Sequence, residues 1–588
     1  MQKLLKYIIL IGIFLIPLIN SRITNLLWFS FSMPVSWNYE FTKVMFFNIW
    51  SSLVISLFFI YSTISWKIKI FNNKWILFIL LFYLILLLST IFSESPIISF
   101  LWNNEKSHSF LMWSNLVWLY IVFQNILNKD FFSKIIKTFI LSGIFVSIIG
   151  LKEYFFPTFN YGDLWNRLFS TFWHPNYLSI FLVGLMPFLY NLRWIFSKII
   201  IGLFIITLFF TKSFIAIFLF LIFNLFYFWK KIKFKKIIIT FSFLFWFILI
   251  YNFLPEKLHS FVSRYFIWDT TIRIIFSDIK IFLIGWWTET LTYFFNNFKS
   301  EYVYIFENLG YTADRPHNIL LNFFYHFGIW WLIFILWIYF KVFNYNEIGW
   351  TQGITPTRFS LVLIFIFLLF NPTNIVIYLF IIILLSNLFL QKNSTVQPLA
   401  FEKSKELCPT GGILWTGKRY FWLIPYFYIT IISIFWAYNS LNFYISETYS
   451  YKDNFTKALN YYKYNPELYF IKWDFDNWLK ISKVKTINYF KYKIRWENNL
   501  EKKLILSDKF ITKYNYAENY FYVWTIFWDL WKEDIAKKYY KKWLEKLPDL
   551  WNLNSEFYNK IIVKKLKIDN HRLISKKYWL AIILERLK

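Results

Sequence analysis

Long apolar runs alternate with short polar connectors over most of this chain. Runs of about 17 to 25 apolar residues suffice for a helix to cross the hydrocarbon core of a bilayer. The pattern predicts about 13 transmembrane helices, over 4–20, 41–61, 75–92, 110–127, 132–151, 176–191, 195–210, 213–229, 236–254, 317–340, 358–371, 373–390 and 420–440. The expected fold class is therefore all-α, a polytopic membrane protein. No small-residue cleavage site follows the first run, so it reads as an anchor and not as a signal peptide.

Beyond residue 440 the period stays helical but the residues become Lys- and Tyr-rich. The stretch Ala536-Lys537-Lys538-Tyr539-Tyr540-Lys541-Lys542-Trp543-Leu544-Glu545-Lys546-Leu547-Pro548 resembles the second helix and closing proline of a tetratricopeptide repeat. A weaker copy lies near Ala458 to Pro466, and Trp528 and Trp531 fall where that repeat tends to use glycine. The chain thus divides into a membrane domain, 1–440, and a helical, tetratricopeptide-like domain, 441–588, for which a solvated helical domain without true repeats is the alternative.

Basic residues orient the helices, because Lys and Arg near helix ends stay cytoplasmic. Lys67, Lys69 and Lys74, then Lys129, Arg193 with Lys198, the cluster Lys230 to Lys236, and Lys418 with Arg419 all fall on alternate connectors. They place the N-terminus inside. Segments 93–109, 152–175, 211–212, 255–316 and 372 then face outward, with 255–316 as a large extracytoplasmic loop. An odd number of crossings sends 441–588 outside as well, and long domains cross whatever their charge. The expected location is the bacterial cytoplasmic (inner) membrane.

Composition agrees with this reading. Of the 588 residues 58% are hydrophobic and only 16% charged, against about 25% charged in soluble proteins. The net charge of +30 would point to nucleic acid in a soluble chain, but here topology accounts for it, so no nucleic-acid partner is expected. The single Cys408 excludes an intramolecular disulfide framework and a cysteine-cluster metal site. Tryptophan and glycine are jointly abnormal, 32 against 14, where glycine alone usually makes up about 7% of a chain. We read many of these tryptophans as UGA codons that the source translates as glycine, as some bacterial lineages do. Membrane-interface belts account for other tryptophans.

Only 11 of the 63 basic residues are arginine. Arg167, Arg264, Arg273 and Arg315 all lie in outward segments, where a planar guanidinium fork suits bidentate binding of phosphate or carboxylate. Ordinary headgroup contacts are the alternative for each one alone. Asp314-Arg315-Pro316-His317-Asn318 opens the tenth predicted helix and puts an imidazole, with an unperturbed pKa of about 6.5, at the outer boundary. A polar helix start is the alternative there. In Arg167-Leu168-Phe169-Ser170-Thr171-Phe172-Trp173-His174-Pro175-Asn176, the last two residues suit a helix start. Arg264-Tyr265-Phe266-Ile267-Trp268 precedes Ile281-Phe282-Leu283-Ile284-Gly285-Trp286-Trp287-Thr288-Glu289-Thr290-Leu291, in which Gly285 marks a turn.

Together these segments resemble the O-antigen ligase and polymerase family of bacterial membrane glycosyltransferases, over roughly residues 75 to 390. His317-Asn318 followed by Phe327-Gly328-Ile329-Trp330-Trp331 resembles the family's His-Asn and Gly-x-x-Gly spacing, with Trp331 at the second glycine. Ser170-Thr171-Phe172-Trp173-His174-Pro175-Asn176 is similar to its Gly-Thr-Phe-Gly-x-Pro-Asn stretch. Gly285-Trp286-Trp287 is similar to its Gly-x-Gly turn, with Trp287 at the second glycine. The chain departs at Thr211-Lys212-Ser213-Phe214, where an Arg is usual and Lys212 offers only a point charge. It departs again at Ser99-Phe100-Leu101-Trp102 with Lys106, where an Arg is also usual.

The resemblance implies transfer of a glycan from an undecaprenyl diphosphate carrier to an acceptor, at the outer face of the membrane. The acceptor is a lipid core sugar, a growing glycan or a protein hydroxyl. His317 would be the general base, and Arg264 and Arg315 would neutralise the diphosphate as charge builds on it. Arg167, His174, Asn176, Lys212, Arg273 and Asn318 would bind substrate. No Asp/Glu set with nucleotide-sugar or metal-binding spacing stands out, so metal-independent transfer without a cofactor is expected. Ligase and polymerase share donor and leaving group, and these residues serve either. A flippase or other transporter of lipid-linked glycan is the competing class, although it calls for charged residues along a membrane path, which are sparse in helices one to nine. A third reading makes the tail the working part and the membrane domain its anchor.

Overall fold

The computed structural model describes residues 1–19, 39–65, 74–93, 96–100, 109–156, 167–172, 174–192, 195–228, 262–286, 315–343, 355–371, 374–393, 493–495, 497–513, 517–530 and 532–546, with single positions between them. All regular structure among these residues is helical. The helices are α1 (Gln2–Leu18), α2 (Tyr39–Ser65), α3 (Lys74–Ile91), α4 (Pro96–Phe100), α5 (Phe110–Ile126), α6 (Lys129–Phe155), α7 (Pro175–Asn191), α8 (Ile195–Thr211) and α9 (Phe214–Phe228). They continue with α10 (262–275), α11 (Ile279–Ile284), α12 (Ile319–Phe343), α13 (Pro356–Leu368), α14 (Ile375–Asn393), α15 (Leu500–Lys513), α16 (Ala517–Asp529) and α17 (Glu533–Lys546).

Among the described residues three helical stretches are long and apolar enough to cross a membrane: Thr42–Ser62, Lys129–Phe155 and Ile319–Phe340. Shorter apolar helices, among them Phe110–Ile126, Phe196–Thr211, Pro356–Leu368 and Ile375–Leu388, coincide with other predicted runs. The predicted run 236–254 and nearly all of 420–440 lie outside the described residues, as do Leu101, Trp102, Lys106, Trp173, Trp287, Asp314, Cys408 and the Ala458–Pro466 segment. Part of the predicted outward loop 255–316 is itself helical, in α10 and α11.

The chain forms two compact units. One comprises Met1–Phe223, Trp287–Glu289 and Ile329–Ser482, the other Asn224–Trp286, Thr290–Gly328 and Lys483–Lys588. In the first, α1 packs on α2 and α6, α2 on α5, α5 on α14, and α7 on α8 and α13. Small residues allow the close approaches, as in membrane helix pairs. A side chain at Gly12 would strike the Trp50 indole, whose Nε1 donates to the Ile8 carbonyl at 2.9 Å. Ser360 donates to the Gly184 carbonyl at 2.6 Å where α13 meets α7. Outward, α8 shows Phe196, Ile199, Ile206 and Phe209, each at least half exposed. Apolar side chains on the outside of a helix as well as the inside are what lipid permits and water does not.

One cation in the first unit sits fully buried. The ammonium of Lys43 donates to the carbonyls of Ile16 (3.1 Å), Pro17 (2.7 Å) and Ile19 (2.6 Å) at the end of α1. Helix C-termini leave four carbonyls without intrahelical donors, and their partial negative charge favours a cation.

In the second unit, α16 and α17 pack as a helix pair over a core that includes Phe510, Val523, Phe527, Ala536 and Tyr539. Tyr539 stacks on Phe527 with centroids 5.7 Å apart and donates to Asp508 Oδ1 at 2.8 Å. Burial and that carboxylate hold the Tyr539 phenol above its ordinary value.

Candidate functional site

The first unit gathers Arg167, His174, Asn176 and the Thr211-Lys212 corner. Arg167 Nε donates to the Thr211 carbonyl (2.8 Å) at the end of α8, and Leu168 N–H donates to the Phe210 carbonyl (3.0 Å). The segment is thus strapped to that helix end. Arg167 Nη2 donates to Asn176 Oδ1 (3.1 Å). Asn176 in turn donates through Nδ2 to Asn371 Oδ1 (2.7 Å), and Asn371 Nδ2 donates to the Phe367 carbonyl (3.3 Å). Sequence reasoning missed Asn371. Its signal was the pair Asn371-Pro372 between two apolar runs, a turn dipeptide that reads as structure alone.

His174 is the N-cap of α7, and its Nδ1 accepts from Asn176 N–H at 3.1 Å. The neutral imidazole therefore carries its proton on Nε2. Its ring lies 5.1 Å from that of Tyr177. Lys212 turns the corner after α8 with φ +50° and an exposed side chain. Beneath, the turn Ser170–Phe172 is anchored by Ser170 Oγ on the Val146 carbonyl (2.6 Å) and Thr171 Oγ1 on the Pro17 carbonyl (2.7 Å), one of those held by Lys43. Ser170 has φ +52°, a conformation that costs a non-glycine residue about 1–2 kcal/mol. This is the position at which the resembling stretch has glycine.

The second unit holds the other constellation. Asn318 caps α12, its Oδ1 accepting from Leu320 N–H (2.9 Å) and Leu321 N–H (3.1 Å). His317 is not that cap. It precedes it with φ +56° and a half-buried side chain, while Arg315 is 5% exposed. The Pro316 carbonyl between them accepts from Trp268 Nε1 at 2.7 Å. Trp268 thereby ties the His317 turn to α10. Arg264, four residues before Trp268 on α10, shares its helix face. Arg273, nine residues after Arg264, lies half a turn away on the opposite face. It is exposed and ion-paired with Asp269 at 2.9 Å. The Trp268–Pro316 bond links the turn that holds Arg315, His317 and Asn318 to the helix face on which Arg264 falls, and Arg273 lies on the other face of that helix.

Two glycines support this turn. Gly285 ends α11 with φ +75°, and Gly328 interrupts α12 with φ +76°. A side chain on Gly285 would meet the backbone of His326 and Phe327, and one on Gly328 would meet that of Leu283 and Ile284. Trp286 N–H donates to the Tyr325 carbonyl at 2.8 Å. Both positions therefore require a residue without Cβ. Trp331, three residues beyond Gly328 in the first unit, is buried against Phe82 (5.6 Å), Phe334 (5.3 Å) and Trp113 (6.5 Å).

No protein-family model matches this chain, and no curated protein and no solved structure shows significant similarity to it.

Proposed function

We propose that the protein transfers a glycan from an undecaprenyl diphosphate carrier to an acceptor hydroxyl at the outer face of the bacterial cytoplasmic membrane, as the O-antigen ligases and polymerases that it resembles do. In this reading about 13 helices cross the membrane, the N-terminus lies inside and residues 441–588 lie outside. The observation that carries it is the turn Arg315-Pro316-His317-Asn318. An imidazole is held at positive φ between a buried guanidinium and a helix cap, and its preceding carbonyl is fixed by Trp268. Strained backbone of this kind, over-determined by its surroundings, clusters at functional sites.

In the reaction His317 takes the proton of the acceptor hydroxyl as its oxygen attacks the anomeric carbon. The bond from that carbon to the phosphate oxygen breaks, and its electron pair leaves with the diphosphate. Arg264 and Arg315 stabilise the charge that develops there, an effect strongest where water is excluded. Arg167, its guanidinium braced by Thr211 and Asn176, with exposed Lys212 nearby in sequence to its Thr211 partner, is the first unit's candidate contact for phosphate.

The test is expression in a host that makes a defined undecaprenyl diphosphate glycan, comparing His317→Ala with the parent for glycan joined to acceptor. Loss of a general base lowers the rate about 10²- to 10⁴-fold. Undiminished transfer by a properly inserted variant would remove His317 from the chemistry. Movement of glycan across the membrane without a new glycosidic bond would favour a transporter.

A further inference from the structure

We propose that Asn371 is a positioning residue, one that sets the orientation of the Arg167 guanidinium by fixing which atom Asn176 presents to it. The inference rests in part on the reading of Arg167 as a phosphate contact.

The chain of contacts starts at a backbone atom. The Phe367 carbonyl accepts only, so the atom of Asn371 that meets it is the amide nitrogen, 3.3 Å away. The oxygen of Asn371 is then committed to the other side, where it accepts from Asn176 Nδ2 at 2.7 Å. With its nitrogen so engaged, Asn176 presents Oδ1 to Arg167 Nη2 at 3.1 Å. The Thr211 carbonyl on Arg167 Nε, 2.8 Å, supplies the second fixed point. Two acceptors at different nitrogens determine the plane of a guanidinium. Loss of either acceptor loosens that plane.

Asn371 is 1% exposed and lies just beyond the end of α13, whereas Asn176 stands on α7 and Thr211 ends α8. Two consecutive helices, α7 and α8, and the sequence-distant end of α13 thus converge on one guanidinium. A reversed Asn371 amide would set its nitrogen against that of Asn176 and its oxygen against the Phe367 carbonyl. Burial makes both mismatches costly, since an unmade bond there is not replaced by water. Planar bidentate recognition of phosphate depends on such pre-orientation. A guanidinium lacking it must be ordered when the anion binds, which weakens binding.

The experiment uses the full chain in nanodiscs. Undecaprenyl diphosphate is the binding probe, neutral undecaprenol the control, and nitrogen-15 arginine labelling reports the Arg167 Nε–H, assigned by its loss in Arg167→Lys. In Asn371→Leu we expect the exchange of that proton with water to speed up about tenfold, and affinity for undecaprenyl diphosphate to fall about tenfold, the loss of roughly one hydrogen bond's worth of order. In the Arg167→Lys background Asn371→Leu should bring no further loss of affinity. Asn371→Asp keeps an oxygen for Asn176 Nδ2, the contact that turns the Asn176 oxygen toward Arg167, so it should lose less affinity than Asn371→Leu. Proton exchange unchanged in Asn371→Leu, or equal losses from Asn371→Leu with and without Arg167, would overturn the inference. Faster exchange in a chain whose parent prefers undecaprenyl diphosphate no more than undecaprenol would leave Asn371 as the positioning residue and remove the phosphate-contact reading of Arg167 instead. If Asn371→Leu does not fold, Arg167 Nε–H exchange as fast in Asn371→Asp as in a chain lacking Asn176 (Asn176→Ala) would overturn the inference.

Discussion

Individual indoles separate two kinds of tryptophan. Trp50 and Trp268 each donate an N–H to a main-chain carbonyl, Ile8 and Pro316, so their rings and nitrogens both have a use in the fold. Trp173, Trp287 and Trp331 occupy positions at which the resembling motifs have glycine. The gene is therefore expected to carry UGG at 50 and 268 and UGA at 173, 287 and 331, which sequencing it checks; UGG at those three ends the recoding idea. At this scale the site was partly legible. Arg264, Arg315, His317 and Asn318 stood out because arginine is scarce and a His-Asn pair opens an apolar run. Asn371 and Lys43 did not, because their roles come from contacts 195 and 24 to 27 residues away in the chain. Arg273 shares only its residue type with that group, and the helical phase places it on the face opposite Arg264.

Among the elements, cations recur at helix ends. Lys43 closes α1, Arg167 closes α8, and Arg358 Nε donates to the Val342 carbonyl in the last turn of α12 at 2.8 Å. Each comes from a different segment, so the helix dipole ties one element to the next. The paired glycines at 285 and 328 do the same by steric means. Gly328→Ala would put a Cβ on the Leu283 backbone and force a positive φ on alanine, for an expected loss of at least about 2 kcal/mol. Thermal unfolding of the purified variant in detergent measures it, and an unchanged midpoint would mean that the crossing relaxes freely. The apolar periodicity located most of the described helices within a few residues. It could not locate the break in α12, because a glycine in an apolar run alters no hydropathy.

For the molecule as a whole, the helical class and the presence of membrane-length apolar helices were legible from run length. The division into two units was not, because each unit combines segments far apart in sequence. The tail helices give the second unit an alkaline limit. Burial pushes Tyr522 up to about 12 from its ordinary 10.0 and raises Tyr539 as well. A phenol whose folded-state pKa lies above its unfolded value contributes stability fully below about pH 10, and loses it as pH rises through the folded value. Lys503, lowered by burial, opposes this, since its penalty is relieved as pH climbs toward 10.5. Helix content followed by circular dichroism is expected to fall first above pH 10, and later in Tyr539→Phe than in the parent. An identical alkaline midpoint in both would exclude Tyr539 as the cause.

The three carbonyls at the end of α1 have a consequence for biogenesis. If the first helix crosses the membrane as proposed, the ammonium that meets these carbonyls becomes available only once the second helix has been made. On that reading the two are expected to leave the insertion machinery together as a hairpin, the first helix waiting for a lysine of the second.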